Sequence, residues 1–323
     1  MQNKRVDKNY FPGYTRKSVT FTMDDGNLDT DRTFLDIVRP AGIKGTFNLL
    51  VPYYSRLSRE GYLEMYSGYE ISNHTKTHPL AAVDGVSYII SDEPFDPNTS
   101  ESFTEGRPVI HRSEIPGVYR IHDDPTRVKP DGWYPISFTE DYIKAISESQ
   151  EALCELFGEG AVRGFVWPFY TQKNRAIVDY VRAQGFYGMR GVGDTLDRLN
   201  YNVPTERFPW SYTCHNTNLL EVMADYAAYA DDGELKFFCF GVHSFDFERS
   251  KNWGDLREFC DKYGRRPDEY YYATVGEIFA YSDAMARLEI SDTEVYNPTD
   301  TTLYIKIDGE KRRIAPDERI ALI

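Results

Sequence analysis

Short runs of β-forming residues alternate with amphipathic segments along most of the chain. Residues 18–22, with the sequence Ser-Val-Thr-Phe-Thr, predict a strand that ends near Asp24 and Asp25. The apolar residues Phe34, Leu35 and Val38 then follow at the spacing of one helix face. Further strands are predicted at 45–50, 69–72, 164–167, 186–189, 235–242 and 271–274, and further helices at 137–157, 176–183, 218–230 and 276–288.

The segment 137–157 carries the clearest helix signals. Ser137 and Glu140 form a capping box, and Gly158 stands just past the end, where a terminating glycine is common. Strands that alternate with helices in this way favour an α/β fold with parallel strands. Because such folds carry their chemistry at the carboxyl ends of the strands, we expect the functional side chains there.

Two stretches break the alternation. Residues 82–135 are rich in Pro, Asp, Ser and Gly and show no sustained period, which is typical of a functional loop or insertion. We interpret this stretch as an insertion over one mouth of a barrel, with short strands of its own such as 86–90. Residues 289–323 alternate apolar and polar positions between turn signals. They predict a small β appendage that packs on the main domain, residues 1–288.

The composition narrows the function mainly by exclusion. The chain has 323 residues, of which 15% are aromatic, so it can bury a sizeable core and is not a disordered chain. Its formal net charge of −14 disfavours nucleic acid as a partner, because phosphate contacts need a basic face. The compact basic run at 311–313 is interpreted as the solvated face of a strand.

The chain shows no membrane or export signal. No segment approaches the ~20 apolar residues of a spanning helix, and no apolar stretch follows the polar residues 1–5 as in a signal peptide. The four cysteines are scattered without a C-x-x-C pair, which favours free thiols in a reducing compartment. We therefore expect a cytoplasmic protein, with a secreted protein that has lost its leader as the alternative.

Three short segments at predicted strand ends carry the candidate chemistry. The first contains Asp24 and Asp25, whose side chains point in different directions because side chains alternate along a strand. One carboxylate can therefore bind a cation while the other faces a substrate. A solvated Asp-Asp-Gly turn is the alternative interpretation of this segment.

The second and third segments contribute histidines. His74 and His78 are four residues apart, and on a helical turn such residues share a face, which suits two imidazoles that bind one metal. Two surface histidines are the alternative. With Asp25 they would form a His-His-carboxylate site with open positions, as in catalytic metal centres. His243 ends the most apolar strand and, taken alone, would be a core or rim residue.

These segments, in this order, resemble the motifs of the polysaccharide deacetylases of carbohydrate esterase family four, also called the NodB-homology domain. Residues 22–26 are similar to the family's T-F-D-D-G motif with Met for Phe, and residues 74–78 match its H-S/T-x-x-H motif. Pro168 and Phe169 are similar to a third motif, and residues 241–243 to the last, Leu-x-His. The resemblance covers residues 15 to 285, apart from the insertion.

The resemblance implies a distorted (β/α) barrel and a metal-dependent hydrolase that removes acetyl groups, N-acetyl in preference to O-acetyl, from a saccharide. It implies that Asp25, His74 and His78 hold the metal, that Asp24 is the general base for an activated water, and that His243 is the general acid. Zn is the expected ion, and Co, Ni, Mn and Fe are alternatives. The substrate-binding candidates are Pro168, Phe169, Tyr170, Trp167 and Trp210.

The chain departs from the family pattern at two places. The family's third motif begins with an Arg that pairs with the base, whereas the aligned position here is Val166 or Trp167. Arg163 lies three residues before Val166 and is expected to point elsewhere, so either an Arg from another segment substitutes or the base is less constrained. The family's fourth motif, an acidic residue and a Trp, has no clear counterpart, and Trp210 is the candidate for that pocket wall.

Two other functions are consistent with the same residues. One is a metal-dependent hydrolase of a non-carbohydrate amide such as a cyclic ureide, which would use the same chemistry. The other is a saccharide-binding relative that has lost catalysis through the missing Arg. The presence of every implied metal and catalytic residue favours the deacetylase. The sequence leaves open the sugar, the acetyl position and the oligomeric state.

Overall fold

A computed structural model of the protein describes residues 5–51, 57–81, 87–91, 111–112, 118–122, 136–137, 139–168, 174–191 and 200–322. The helices are α1 (Leu28–Val38), α2 (Arg59–Met65), α3 (Thr139–Phe157), α4 (Arg175–Ala183), α5 (Leu219–Ala228), α6 (Ser244–Arg249), α7 (Trp253–Tyr263) and α8 (Val275–Ala286). The strands are β1 (Val6–Tyr10), β2 (Lys17–Asp25), β3 (Thr46–Leu49), β4 (Glu70–Asn73), β5 (Leu80–Ala81), β6 (Ser87–Ser91), β7 (His111–Arg112), β8 (Val118–His122), β9 (Ile136–Ser137), β10 (Val162–Val166), β11 (Met189–Arg190), β12 (Lys236–His243), β13 (Tyr270–Tyr272), β14 (Glu289–Ile290), β15 (Glu294–Tyr296), β16 (Leu303–Ile307), β17 (Glu310–Ile314) and β18 (Arg319–Ala321).

The main sheet is parallel throughout and curls into a barrel. Its strands follow the order β11-β10-β4-β3-β2-β12, and β13 pairs with the amino half of β2. Residues 210–214 join the two ends, because Trp210 bridges to Arg190 on β11 and Cys214 bridges to Phe240 on β12. The distorted (β/α) barrel predicted from the sequence is therefore confirmed.

Strand β2 shows how the sequence produces the two sides of the barrel wall. Its apolar residues Val19, Phe21 and Met23 are fully buried against helices outside the barrel, with Phe21 packed edge-on against Phe34 of α1. The alternate positions are polar and equally buried, and they point into the barrel. This strand therefore reads as a continuous buried run, as central parallel strands do, and it delivers Asp24 to the interior.

Helix α8 closes the amino end of the barrel. Side chains at the starts of two strands bind its first turn. The Val275 N–H donates to Thr46 Oγ1 on β3 (3.3 Å), and the Gly276 N–H donates to Glu70 Oε2 on β4 (2.8 Å). The opposite, carboxyl end of the barrel is the end at which β2, β4 and β12 place the candidate residues. Among the described residues, the candidate residues therefore lie together at the carboxyl end of the barrel.

The segments outside the barrel form small sheets. In the insertion, β6, β8 and β7 make a three-stranded sheet, and β6 corresponds to the strand predicted at 86–90. The C-terminal appendage forms two sheets, β14-β15-β18 and β1-β16-β17. The sequence did not indicate that β1 would join it, because a single short N-terminal strand carries no sign of its partner. Every helix among the described residues is too short or too polar to cross a lipid bilayer.

Candidate metal centre and active site

The turn after β2 separates the two adjacent carboxylates. Asp25 has φ +73° and Gly26 has φ +72°, so the chain turns sharply through the left-handed region at the strand end. A Cβ at Gly26 would lie 2.7 Å from Leu49 Cδ2, which explains a glycine there. Asn27 then caps α1 by accepting from the Thr30 N–H (3.3 Å). Asp24 consequently points into the barrel while Asp25 lies at its mouth.

His74 and His78 lie on a loop after β4, and the helical turn predicted for them is absent. The loop is held by side chains instead, because Asn73 Oδ1 accepts from the Thr75 N–H (2.8 Å) and Thr75 Oγ1 accepts from the His78 N–H (3.2 Å). Thr75 and His78 both have positive φ, 68° and 51°. The two imidazoles still meet, with ring centroids 4.9 Å apart. The two imidazoles therefore lie close together as predicted, but a loop and not a helical turn brings them together.

Asp25, His74 and His78 form a compact cluster at the barrel mouth. Asp25 Oδ1 lies 3.4 Å from His74 Nε2 and 3.6 Å from His78 Nε2, and the three ligand atoms lie within 4.8 Å of one another. Asp25 Oδ1 and His74 Nε2 are buried and make no hydrogen bond among the described residues. Buried polar atoms are normally satisfied, so this convergence fits a metal ion that completes their bonding.

The surroundings of the cluster favour its metal-binding protonation states. His74 Nδ1 lies 3.0 Å from the Val166 carbonyl oxygen, which directs Nε2 toward Asp25. Burial and the neighbouring His74 lower the pKa of His78 to about 4, so its imidazole is neutral at pH 7. Burial favours the neutral form of Asp25, but the contact with His74 and the charge of His243 outweigh it and lower its pKa. His78 and Asp25 are thus in the protonation states that bind a metal.

Asp24 is buried inside the barrel and held by two side chains. Nη2 of Arg190, at the end of β11, donates to both carboxylate oxygens, and Nδ2 of Asn48 on β3 donates to Oδ1 (2.7 Å). Burial alone would raise the pKa of Asp24, but the guanidinium outweighs it, so the pKa lies below its usual range. Of the two alternatives for the missing motif Arg, the structure has the first, an Arg from another segment, Arg190.

Arg190 is itself supported by an aromatic ring. The side chain is fully buried, and its guanidinium carbon lies 5.2 Å from the ring centroid of Tyr212. Tyr212 lies close against β12, where a Cβ at Gly241 would come within 2.5 Å of the ring. A glycine at this point of the strand therefore gives the ring the space that it occupies beside the arginine.

His243 ends β12 opposite Asp24 on the neighbouring strand. Its Nδ1 lies 2.8 Å from Asp246 Oδ2, and its Nε2 points to the cluster, 3.6 Å from Asp25 Oδ2. Burial opposes protonation, but the bond to Asp246 and the Asp25 and Asp24 carboxylates raise its pKa to about 9. The Phe245 ring stacks on the imidazole at 4.5 Å and an angle of 11°. The imidazole is thus fixed with Nε2 available to a substrate.

The other predicted residues occupy varied positions. Trp167 is fully buried and packs on Tyr142 and Phe165, while Trp210 is 4% exposed and packs on Phe237 and Phe279. Neither ring presents a face to a ligand in this structure. Pro168 is buried next to Trp167, and Arg163 is exposed, away from Asp24. Phe169 and Tyr170 lie outside the described residues.

Three residues of the site were not identified in the sequence. Arg190 lies one residue beyond the strand predicted at 186–189, so a search of all strand ends would have found it. Asn48 lies within a predicted strand. Its alternation with the apolar residues Phe47 and Leu49 could have indicated that its side chain points into the barrel. Asp246 follows His243 by three residues. This is the spacing of a capping box, and it could have indicated that the two side chains meet at the start of α6.

Comparisons with known proteins were made for the sequence and the fold. A family model described as polysaccharide deacetylase matches residues 13–189, more than half of the chain. None of the curated proteins matched the chain.

Similar solved structures include three from bacteria. One is the peptidoglycan deacetylase PdaC from Bacillus subtilis, with 16% identity, a TM-score of 0.41, and coverage of 84% of this chain and 95% of that one. A family 4 acetyl xylan esterase from Clostridium thermocellum, in complex with a cobalt ion, has 13% identity, a TM-score of 0.43, and coverage of 82% and 91%. A family 4 carbohydrate esterase from Streptomyces lividans, in complex with acetate, has 11% identity, a TM-score of 0.41, and coverage of 76% and 88%.

Proposed function

The chain belongs to the polysaccharide deacetylase family and is a carbohydrate deacetylase, and on this premise we propose that it hydrolyses N-acetyl groups of a saccharide with the help of one divalent metal. The observation that carries the proposal is the placement of Asp24 and His243 beside the cluster of Asp25, His74 and His78. A base, an acid and a ligand set meet at one end of the barrel, as hydrolysis of an acetyl group requires.

Asp25, His74 and His78 would hold the metal. Two imidazole nitrogens and one carboxylate oxygen suit Zn, while Co, Ni, Mn and Fe accept the same donors. When bound there, such an ion supplies Lewis-acid polarisation of the acetyl carbonyl and lowers the pKa of water. The three residues provide the ligand atoms and leave the remaining positions to solvent and substrate.

Asp24 is the general base of the proposed reaction. Its carboxylate is ionised at neutral pH because Arg190 holds its pKa low, and it lies at the inner edge of the cluster. As the water oxygen bonds to the acetyl carbon, a carboxylate oxygen of Asp24 takes the water proton. Arg190 stays paired with the carboxyl group and keeps it ionised until the water proton arrives.

His243 is the general acid that distinguishes the N-acetyl reaction. The C–N bond of the tetrahedral intermediate breaks readily only when its nitrogen receives a proton, whereas an alkoxide from an O-acetyl group needs this help less. Asp246 holds Nδ1, so the proton that His243 delivers is the one on Nε2. Acetate and a free amine are the products. Asp24 then releases its proton to solvent and His243 takes one from solvent, which restores both groups for the next turnover.

The proposal is tested by acetate release from a panel of N-acetylated and O-acetylated oligosaccharides. Zn-loaded protein should release acetate from an N-acetylated chito-oligosaccharide, release should stop with chelator, and Asp24→Asn should be the inactive control. Faster release from O-acetylated sugars would overturn the N-acetyl preference. Tight metal binding without acetate release from any sugar would favour a non-carbohydrate amide or a binding protein. A cyclic ureide in the panel separates these two.

A further inference from the structure

We propose that Asn48 is a positioning residue for the general base and that it selects Oδ2 of Asp24 as the atom that takes the proton. The inference rests on the proposed function, because it concerns the same base. It assigns a role to a residue on β3 that belongs to none of the sequence motifs.

The geometry of Asn48 is fixed from two sides. It stands opposite Asp24 in the β2–β3 register and is fully buried inside the barrel. Its Nδ2 donates to Asp24 Oδ1 and to Thr22 Oγ1, both at 2.7 Å. Because both amide protons are used, the amide cannot rotate without losing one of these bonds. Thr22 thus orients Asn48, and Asn48 orients Asp24.

The hydrogen bonds of Asp24 distinguish its two oxygens. Nη2 of Arg190 donates to both, so the arginine alone leaves them equivalent. Asn48 adds a second donor to Oδ1 only, which occupies both lone pairs of that oxygen. Oδ2 accepts from Arg190 alone among the described residues and keeps one lone pair. A water proton can therefore reach Oδ2 and not Oδ1.

Asn48 carries an energetic penalty in the folded protein, and this penalty supports a functional role. Asn48 Oδ1 is buried and has no hydrogen-bond partner among the described residues. A buried acceptor without a partner is destabilising, whereas an apolar side chain on this face would carry no such penalty. Asn48 also adds no charge next to the carboxylate. The position therefore holds Asp24 in one orientation at some cost in stability.

Two variants and one control separate positioning from packing. Asn48→Leu fills the same space without a donor, whereas Asn48→Ala leaves room for a water that can donate to Oδ1 in its place. With N-acetylated chito-oligosaccharide, we expect Asn48→Leu to lower kcat by about 10- to 100-fold and Asn48→Ala to lower it less. KM and Zn content should not change. Thr46→Val, on the same inner face two residues earlier, should leave kcat unchanged.

A structural readout keeps the test independent of the reaction. Crystals of Zn-loaded wild type and Asn48→Leu should show the Asp24 carboxylate turned or spread over two orientations in the variant only. An unmoved carboxylate, or a kcat of Asn48→Leu within about threefold of wild type, would overturn the inference, as would a raised KM at unchanged kcat. Absence of acetate release by wild type would overturn the proposed function, while the crystals would still decide the role of Asn48. If Asn48→Leu does not fold, Asn48→Val, which also lacks a donor and is closer to Asn in volume, takes its place in the kinetics and the crystals, with the same outcomes overturning the inference.

Discussion

Asp24 and Asp25 are neighbours in the chain but have different surroundings. Alternation along β2 turns Asp24 into the barrel, where an arginine and an amide bind it. The left-handed conformation at Asp25 places the next carboxylate among imidazoles at the mouth. A carboxylate held by fixed donors suits a base, and one with a free buried oxygen suits a ligand. The difference between the two roles thus arises from one step along the backbone.

Substitution at these two positions should separate binding from turnover. Asp25→Ala removes one of three ligands, so we expect the purified variant to lose Zn by metal analysis. Asp24→Asn keeps all three ligands but cannot take a proton, so it should retain Zn and lose about 10²- to 10⁴-fold in kcat. Equal Zn loss in both variants would contradict the division of roles, and full turnover by Asp24→Asn would exclude it as the base.

Arg190→Gln should impair both stability and turnover. Removing one partner of a buried ion pair leaves Asp24 uncompensated, which costs about 3–5 kcal/mol of unfolding free energy. Arg190→Lys should recover only part of kcat, because an ammonium is a compact, strongly hydrated charge that lacks the planar face with which the guanidinium packs on Tyr212. Urea unfolding and steady-state kinetics measure the two effects. The double variant Asp24→Asn, Arg190→Gln should be more stable than Arg190→Gln alone, and the opposite order would argue against the pairing.

Asp246→Asn should change the pH dependence of turnover. The Asp246 carboxylate stabilises the protonated imidazole of His243, so its removal lowers the pKa of the acid. The acid must be protonated to act, and the alkaline limb of kcat/KM should therefore move to lower pH in the variant. Glu248→Gln, an exposed change on the same helix, is the control. An unchanged alkaline limb would show that another group sets it.

At the scale of elements, the sequence predicted which strands exist better than where their ends lie. The strand at 186–189 was predicted, but the described strand is Met189–Arg190. The difference of one residue at the carboxyl end leaves out Arg190, which binds Asp24. The segment 74–78 was predicted as a helical turn from the spacing of its histidines. The structure has a loop there, because side-chain acceptors on Asn73 and Thr75 compete successfully for the backbone N–H groups.

The side chains that contact Asp24 could not be predicted from sequence spacing, for a physical reason. Arg190 is 166 positions from Asp24 in the chain, and only closure of the barrel brings β11 opposite β2. Asp25, His74 and His78 were predicted because each follows a strand end and has metal-ligand chemistry. The local sequence pattern thus identifies residue types that bind metals or transfer protons. Only the tertiary fold determines which of the many arginines or asparagines contact them.

Helix α1 carries a buried carboxyl group, that of Asp31, which makes the stability of the folded protein depend on pH. Asp31 accepts from Ser244 Oγ (2.5 Å) at the start of α6 and from the Tyr66 hydroxyl (2.8 Å) after α2. Burial is the main cause that raises its pKa to about 7, despite both hydroxyl donors. Because the folded pKa exceeds the unfolded one, the folded state binds the proton more tightly. The stabilisation is complete below about pH 4 and is lost as the pH rises through 7.

Asp31→Asn should remove this pH dependence. Relative to wild type, the variant should gain about 2.5 kcal/mol of stability between pH 5 and pH 8, out of about 4 kcal/mol for the full pKa difference. Urea unfolding at the two pH values measures it, with chelator present so that the charge of Asp25 is unchanged by metal. Asp36→Asn, exposed on the same helix, should give no such difference. A difference between variant and wild type that is the same at both pH values would contradict the raised pKa of Asp31.

At the scale of the whole molecule, the barrel and the C-terminal appendage share one core. Buried residues of the appendage, among them Val295, Leu303 and Ile305, form one apolar cluster with Phe279 of α8 and Phe237 of β12. Strand β1 extends the connection to the other end of the chain through its pairing with β16. Since β12 also carries His243, the appendage packs against a strand that contributes to the candidate site. We therefore expect the two parts to unfold together.

Ile305→Ala tests this expectation at a distance from the chemistry. Ile305 is fully buried on β16, and its truncation should lower the unfolding free energy by about 2–5 kcal/mol. If the core is shared, urea unfolding should remain a single transition, with far-ultraviolet circular dichroism and aromatic fluorescence shifting together and with an unchanged m-value. Arg312→Ala, exposed on the partner strand opposite Ile305, should have little effect. An additional early transition in Ile305→Ala would instead show an appendage that unfolds by itself. The barrel would then keep its own stability and the candidate metal site, because Asp25 lies on β2 and both histidines lie on the loop after β4.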